Sequence, residues 1–445
     1  MHTQNLIIGF GKAGKTLAAD LAKHGQQVVL VEQSAQMYGG TCINIGCIPS
    51  KKLIVESEQR GHNADKAAVF AAAMNAKNTL IPKLRAANFA KLDNLDGVTV
   101  LNARAEFLDD RTVKLTDPDG GEQTLTAERI FINTGATPRR LGVAGNIPDT
   151  YKIKDFLVSH EPKSAIVIGG GYIGLEFAFM FHAFGSEITI LDGGDRFLPR
   201  EDRDIAEEML RVLNNKGIKV LQGVKIEAFR DNTADTSVIT SQGEFTTDAV
   251  LVGVGRVPNT QGLGLANAGI ETDPRGFILV DDHLRVQGKN HIWAMGDVAG
   301  SPMFTYISLD DYRIVREQLF GDGKRNRADR TPFPTATFTE PPLAHIGLTE
   351  TAAQQSGREV KVLKLKADAI PKAKILNQTD GLLKAVVDAH SGEILGVTLF
   401  CAEAHEIINL FKMAIDHRIP ATYIKNQIFT HPTIAEGLND LFAGC

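Results

Sequence analysis

NLIIGFGKAGKTLAADLAKHGQQVVLVE, Asn5 to Glu32, reads as strand, glycine turn, helix and second strand. The apolar run Asn5 to Phe10 has the character of a strand buried in a parallel sheet. Gly9-Phe10-Gly11-Lys12-Ala13-Gly14 overlaps its end, KTLAADLAKHG is patterned as a helix, and QVVLVE ends on an acid. The glycines permit a tight turn and let the backbone approach a pyrophosphate at the helix N-terminus. Glu32, 18 residues past Gly14, is placed to accept from ribose hydroxyls. Gly9, Gly11, Gly14 and Glu32 are therefore assigned to a bound dinucleotide.

The construction returns further along. Strand SAIVIG runs into Gly169-Gly170-Gly171-Tyr172-Ile173-Gly174, then helix LEFAFMFHAFG and strand EITILD, which ends at Asp192. Gly169, Gly171, Gly174 and Asp192 form a second dinucleotide set. Two such sites on one chain imply a flavin held by one and a nicotinamide nucleotide passing through the other, because a hydride needs a resident acceptor. The alternative is a duplicated domain with one dead site. Asp192 would repel a 2'-phosphate, which favours NADH over NADPH, although Arg196 nearby softens that preference.

The 445 residues suffice for about three domains at roughly 150 residues each. With 43% hydrophobic and 23% charged residues the composition is that of a globular protein, and a net charge of -5 without a basic stripe argues against nucleic acid and membrane surfaces. The N-terminus lacks the pattern of a signal peptide, and no stretch approaches the roughly 18 apolar residues of a membrane span. Four cysteines in a chain of this length point to a reducing compartment, hence the cytoplasm.

Short strands ended by glycine lie between and after the two units, in VTVLNARAEFLDDRTVKLT, RIFINTGATPR, AVLVGVGRVPN and NHIWAMGDVAG. Lys66 to Leu92 reads as a long packed helix without chemistry, and KRNRADR near 324–330 as a solvated linker. From Thr331 the pattern changes to sheet strands with a hairpin, followed by the amphipathic helix AEAHEIINLFKMAIDH. The expected fold is α/β, with two Rossmann-like dinucleotide-binding units and a separate C-terminal domain from Thr331.

GGTCINIGCIPSKK, Gly39 to Lys52, holds two of the four cysteines, five positions apart. Zinc sites need a second pair of ligands at similar spacing, and none follows. On an ideal helix residues i and i+5 are roughly 8 to 9 Å apart, whereas a disulfide needs Cα atoms closer than about 7 Å. A bridge therefore requires a broken helix, for which Gly46 is the permissive residue and Gly39-Gly40 an undemanding entry. A strained, accessible bridge closing so small a ring is easily reduced, so the pair reads as an electron relay.

The stretch GGTCINIGCIPSK resembles the redox signature of the class I pyridine nucleotide-disulfide oxidoreductases, and the likeness covers nearly the whole chain. INTGATPR (Ile132 to Arg139) resembles the family's crossover out of the first domain, GRVPNT (Gly255 to Thr260) its exit from the second, and AMGDVAG (Ala294 to Gly300) its second flavin motif. The resemblance implies two Rossmann-like dinucleotide-binding domains, for FAD and NAD, plus a C-terminal α+β interface or dimerisation domain, with 1–147 as the first part of the FAD domain, 148–269 as the NAD(P) domain, 270–330 as the second part of the FAD domain and 331–445 as the interface domain, in a homodimer whose active sites are shared between subunits. It implies a redox-active Cys42-Cys47 disulfide, Cys47 lying nearest the flavin and Cys42 acting as the outer thiol. It implies that His431 and Glu436, in THPTIAE, form the proton-handling pair contributed to the partner's site. Lys51 and Glu176 are implied as an ion pair beside the flavin, and Tyr172 as the cover of the nicotinamide pocket. Asp297 is implied as a ribityl partner, with Gly40, Thr41, Thr134, Gly135, Gly255, Arg256, Gly296 and Thr305 as further cofactor contacts.

Two departures narrow the choice within the family. Mercuric reductases usually carry a C-terminal cysteine pair and lack the HPT histidine, whereas this chain keeps His431 and ends FAGC with Cys445 alone. In place of the alanine-rich segment usual in lipoamide dehydrogenases stands FTYISLDDYRIV, Phe304 to Val315. That segment resembles a bacterial branch of the family associated with reactive-chlorine resistance, which implies a metal ion such as Cu(II) as electron acceptor, with Cys42 and Cys47 as candidate thiolates for the substrate metal. The alternatives are a dihydrolipoamide dehydrogenase-type disulfide reductase and a flavoprotein redox sensor that does not turn over. Cys401 and His405, at i and i+4, have the spacing of a metal pair on a helix, or of interface packing.

Overall fold

The structure is a computed structural model that describes residues 1–59, 65–144, 162–232 and 235–445. The chain divides into two compact units, one comprising Met1–Leu53, Ala71–Arg140 and Gly255–Arg330, the other Ile54–Phe70, Leu141–Val254 and Thr331–Cys445.

The first unit is built on strand β1 (His2–Ile8), which pairs in parallel with β2 (Val28–Glu32) on one side and the long β6 (Glu122–Ile132) on the other. β3 (Val98–Asn102) extends the sheet beyond β2, while β4 (Arg104–Phe107) and β5 (Thr112–Thr116) add antiparallel strands beyond β6. Helix α1 (Lys12–Lys23) buries Ala13, Gly14, Leu17, Ala18 and Leu21, one stripe at helical spacing. Gly9 turns the chain from β1 towards α1 at φ +104°, and a Cβ on Gly14 would lie 2.7 Å from the Gly9 carbonyl, so a side chain at Gly14 would push the helix off the strand.

Beyond β2 come α2 (Thr41–Asn44), α3 (Cys47–Glu58) and α4 (Lys66–Asp93). The crossover strand β7 (Ala136–Pro138) leads out of the unit. The second unit holds a parallel sheet of β8 (Ser164–Ile168), β9 (Glu187–Leu191), β10 (Lys219–Leu221) and β14 (Ala249–Val252), ordered β10-β9-β8-β14. Its helices are α5 (Tyr172–Phe184) and α6 (Arg203–Asn215), and its antiparallel flap is β11 (Ile226–Asp231), β12 (Thr236–Thr240) and β13 (Gly243–Thr247). Most of α5 is buried, which accounts for its nearly uniform apolar sequence.

The chain re-enters the first unit through β15 (Arg256–Pro258), which pairs with β7, and β16 (Ile292–Ala294), which pairs with β6. Re-entry at Gly255 corrects the expected boundary at 270. The ladder between β15 and β7 pulls GRVPNT away from the nucleotide sheet, a pairing invisible to composition. The expected boundary at 147/148 lies outside the described residues. Helix α7 (Thr305–Phe320) closes this part.

KRNRADR is not simply a solvated linker. Lys324 is exposed, but the Arg330 side chain is 13% exposed and its guanidinium reaches Asp310 at 2.7 Å and Asp311 at 2.6 Å. Two carboxylates on the inner side of α7 draw the arginine in, since a buried charge needs a partner.

From Thr331 the second unit continues as a five-stranded sheet, β17 (Thr335–Thr337), β18 (Leu343–Gly347), β19 (Val360–Lys366), β20 (Leu382–Asp388) and β21 (Ile394–Phe400), ordered β17-β18-β21-β20-β19. Its hairpin is β20 with β21. Helices α8 (Glu350–Gln355), α9 (Pro371–Leu376), α10 (Ala404–Asp416), α11 (Ala421–Asn426) and α12 (Gly437–Leu441) surround it, α10 burying Ile407, Ile408, Phe411 and Ala414. Among the described residues no helix is long and apolar enough to cross a membrane.

Candidate active site

The two cysteines straddle a helix break. Cys42 lies in the single turn α2, Ile45 leaves helical geometry at ψ 5° with φ -141°, and Cys47 is the first residue of α3. Gly39 and Gly40 have φ of +97° and +82°, a region that favours glycine. A Cβ on Gly40 would come within 3.0 Å of the Gly11 backbone, so the cysteine segment lies directly on the first glycine turn. Gly46 serves differently from expectation. Its φ is ordinary, and a Cβ there would sit 3.1 Å from the Thr41 carbonyl, so it is close approach rather than backbone freedom that selects glycine.

Neither cysteine is bridged in this structure, and the interaction of the two thiols raises the pKa of Cys42 and lowers that of Cys47 to about 6. Burial opposes the shift at Cys47, whereas the Thr305 hydroxyl, 3.7 Å from its sulfur, and the charge of Lys51 reinforce it. The N-terminal position on α3 acts in the same direction. Cys47 is thus the thiolate and Cys42 the protonated partner.

Around the first turn, a Cβ on Gly9 would be 2.4 Å from the Asn133 carbonyl and one on Gly11 would be 2.3 Å from Asn133 Oδ1. Asn133 accepts from the Gly14 N–H at 3.0 Å and donates to the Met295 carbonyl at 2.7 Å, tying the turn to the loop of Gly296 and Asp297. Gly11 caps α1 without a side-chain bond, and buried Glu32 ends β2 accepting from the Phe10 N–H at 3.0 Å, so burial raises its pKa. Burial also raises Asp297, opposed by the cation of Arg256. Arg256 donates to the Ala136 carbonyl, while Thr134 Oγ1 donates to the Asn259 carbonyl at 2.9 Å and Gly135 takes φ +71°. Gly255 at φ +110° and Gly296 at φ +74° make the other bends. An uncapped helix start, a cradle with no room for a Cβ and an acid at the adjacent strand end fit an FAD.

In the second unit Gly169 turns at φ +104° and a Cβ on Gly174 would lie 2.0 Å from its carbonyl. Gly171 caps α5 without a side-chain bond, and a Cβ on Gly170 would be 2.9 Å from Asp192 Oδ2, so the acid leans over the turn. These residues fit a second dinucleotide. Tyr172 donates to Glu201 Oε1 at 2.8 Å, and Glu176, buried on α5, accepts from the Phe338 N–H at 3.1 Å. Lys51 lies on α3 in the first unit and Glu176 in the second.

His431 Nδ1 is 2.7 Å from Glu436 Oε2, with the histidine exposed and the glutamate largely covered. The carboxylate thereby fixes the imidazole's orientation. Cys401 and His405 do not share a helix: α10 begins at Ala404, Cys401 is fully buried in the C-terminal core, and burial raises its thiol to about 12. Among the described residues no cluster of three or more potential ligands is poised for a metal ion. Cys445 is half-buried, its carbonyl accepting from Lys425 at 2.6 Å.

Sequence reasoning missed Asn133, Glu201 and Asp311. Asn133 stands inside INTGATPR, where a polar residue ending a buried strand was a usable signal. Asp311 is fully buried and accepts from the Gly296 N–H at 2.7 Å, whereas in FTYISLDDYRIV it is only one of two adjacent acids.

Comparison with known proteins agrees with this architecture. Residues 3–311 match the pyridine nucleotide-disulphide oxidoreductase family, and residues 333–442 match the dimerisation domain of the same family. The chain belongs to the pyridine nucleotide-disulphide oxidoreductases, a flavin-dependent family that uses pyridine nucleotides. It is 44% identical over 444 residues to the probable pyridine nucleotide-disulfide oxidoreductase RclA of Escherichia coli (strain K12), covering 99% of this chain and 98% of the relative. It is 31% identical to a mercuric reductase of Staphylococcus aureus, over 97% of this chain and 80% of that one. A solved structure described as the Cu(II) complex of the HOCl-induced flavoprotein disulfide reductase RclA from Escherichia coli aligns with a TM-score of 0.95 at 43% identity, covering 100% of this chain and 99% of the other.

Proposed function

We propose that this chain is an NADH-dependent flavoprotein reductase whose Cys42-Cys47 pair cycles between disulfide and dithiol and delivers electrons to a metal ion such as Cu(II). The observation that carries the reading is the asymmetric thiol pair, in which Cys47 is held as thiolate by Cys42, Thr305 and Lys51. Bound flavin supplies a two-electron acceptor for nicotinamide hydride. Gly9, Gly11, Gly14, Glu32, Asp297 and the bends at Thr134, Gly135, Gly255, Arg256 and Gly296 would hold it, with Gly40 and Thr41 setting the cysteines against the same turn.

Gly169, Gly171, Gly174 and Asp192 bind the nicotinamide nucleotide, and the Asp192 carboxylate disfavours a 2'-phosphate. Tyr172 covers that site, and Lys51 and Glu176 keep the roles beside the flavin that the family resemblance implies for them. Cys42, the outer thiol, meets the acceptor. Re-forming the disulfide from the Cys42 thiol and the Cys47 thiolate releases two electrons and one proton: the electrons convert two Cu(II) to two Cu(I), and His431 of the partner subunit, oriented by Glu436, takes up the proton. Soft thiolates suit Cu(I). The similarity to RclA and to a mercuric reductase supports a metal-ion acceptor, a homodimer with shared sites supplies the histidine, and the cytoplasm is the compartment proposed.

The intact His431–Glu436 pair at 2.7 Å favours a second reading, a dihydrolipoamide dehydrogenase-type disulfide reductase. Purified holoprotein assayed with NADH and NADPH against Cu(II), Hg(II), lipoamide, oxidised glutathione and oxygen separates the two, with Cys42→Ser alongside. Full activity of that variant with the best acceptor means that electrons bypass the cysteines, and the relay is wrong.

A further inference from the structure

Tyr172 is the first residue of α5, immediately after the glycine turn that follows β8. Its hydroxyl donates to Glu201 Oε1 at 2.8 Å, and Glu201 belongs to the loop that follows β9. β8 and β9 are neighbours in the parallel sheet. The bond therefore runs across the carboxyl end of adjacent strands, the crevice in which nucleotides lie on such sheets. Glu201 is only 7% exposed, and its other oxygen, Oε2, is buried with no hydrogen-bond partner among the described residues. A buried carboxylate left so poorly satisfied makes the phenol its principal donor, and separating them is costly.

Glu201 cannot follow the tyrosine outwards, because its neighbour is anchored. Asp202 accepts from the Glu350 N–H at 2.9 Å and from the Thr351 N–H and hydroxyl at 3.2 and 3.1 Å, and pairs with Lys384 Nζ at 3.0 Å. Lys384 is itself buried, its side chain only 2% exposed, and also reaches Asp204 and Glu350 at 2.9 and 2.6 Å. The movable member is Tyr172, half-buried beside the exposed Ile173.

We infer that Glu201 is a positioning residue that latches Tyr172 shut over the nicotinamide end of the second nucleotide site, so that each entering nicotinamide must break this bond. The inference rests on the assignment of that site to a nicotinamide nucleotide. A closed state favoured by the latch lowers apparent affinity in proportion to the population held shut. Removing the hydroxyl abolishes that population without removing the ring.

Isothermal titration of oxidised holoprotein with NAD+ and with ADP-ribose, which has no nicotinamide, tests the latch. Tyr172→Phe should tighten NAD+ about ten-fold, the order expected for losing one bond to a charged acceptor, and leave ADP-ribose unchanged. Glu201→Gln, which keeps a weaker acceptor, should tighten NAD+ by a smaller factor, and the double variant should match Tyr172→Phe alone. Unchanged or weaker NAD+ binding by Tyr172→Phe overturns the latch. Equal tightening of ADP-ribose, or additive effects in the double variant, overturns it as well. If the unaltered protein binds ADP-ribose and NAD+ at no second site, the nucleotide assignment itself falls, and the latch with it.

Discussion

Cys47 owes its acidity to three neighbours that differ in origin. Cys42 comes from the same short segment, Lys51 from one turn further along α3, and Thr305 from the start of α7. A thiol shifted down to about 6 is ionised at neutral pH and becomes protonated as the pH falls through that value. In the reduced holoprotein, iodoacetamide should label Cys47 with a half-maximal rate near pH 6 and Cys42 only at a pH above that of an ordinary thiol. Thr305→Val removes a donor to the sulfur and should move the Cys47 midpoint upwards. Midpoints for both residues in the ordinary range of about 8 to 9 would show that the pair is not polarised. At Gly11 the requirement is steric: a methyl group 2.3 Å from Asn133 Oδ1 cannot be accommodated without moving strand or turn. Gly11→Ala should purify with a markedly lower flavin-to-protein absorbance ratio than the unaltered chain. That demand was legible as a glycine motif, whereas Asn133, the residue it is made against, left only the weaker signal of a polar residue ending a buried strand.

Helix α7 shows how an element can be read correctly as local structure and incompletely as packing. Asp311 faces the first unit's interior with no exposure, accepting from Gly296 and pairing with Arg330, while burial raises its pKa against those stabilising contacts. Arg330→Met leaves a buried carboxylate without its cation and should destabilise the fold by about 3–5 kcal/mol, measured by chemical denaturation of the holoprotein. Because Asp311 also holds the Gly296 N–H, flavin retention should fall together with stability. Adding Asp311→Asn keeps an acceptor for Gly296 and removes the stranded charge, so the double variant should recover much of the loss. If it is no more stable than Arg330→Met, the ion pair is not what the helix depends on. Sequence patterning shows the amphipathic character of such a helix but cannot show which acid turns inwards, because that depends on an arginine 19 residues away folding back.

Across the chain as a whole, the charge cluster around Lys384 joins the parallel-sheet part of the second unit to its C-terminal sheet. For Asp202 and Asp204 burial works to raise the pKa, but bonds from Glu350 and Lys384 to the first, and from Lys364 and Lys384 to the second, leave both lowered. Groups with depressed folded pKa values stabilise above their unfolded values, near 3.9, and lose that contribution as the pH falls through the folded ones. For Lys384 burial acts downwards, yet Glu350, Asp204 and Asp202 leave it raised, so its contribution is complete below about 10.4 and is lost only in strong alkali. Stability should therefore fall on acidification below about pH 4 more steeply in the unaltered protein than in a Lys384→Met/Asp202→Asn variant, as followed by denaturant midpoints. Parallel acid profiles would exclude the network as the source.

The two glycine turns, the acids that end the strands after them, the cysteine segment and the HPT histidine could be recognised in one dimension because each depends on near neighbours. Turn geometry, close backbone approach and helix starts are set by residues within a few positions. The contacts that arm the site could not. Gly14 meets Asn133 across 119 positions, Tyr172 meets Glu201 across 29, and Lys384 meets Asp204 across 180. Such pairs are selected by desolvation, which exists only once the chain has closed around them and shut out water.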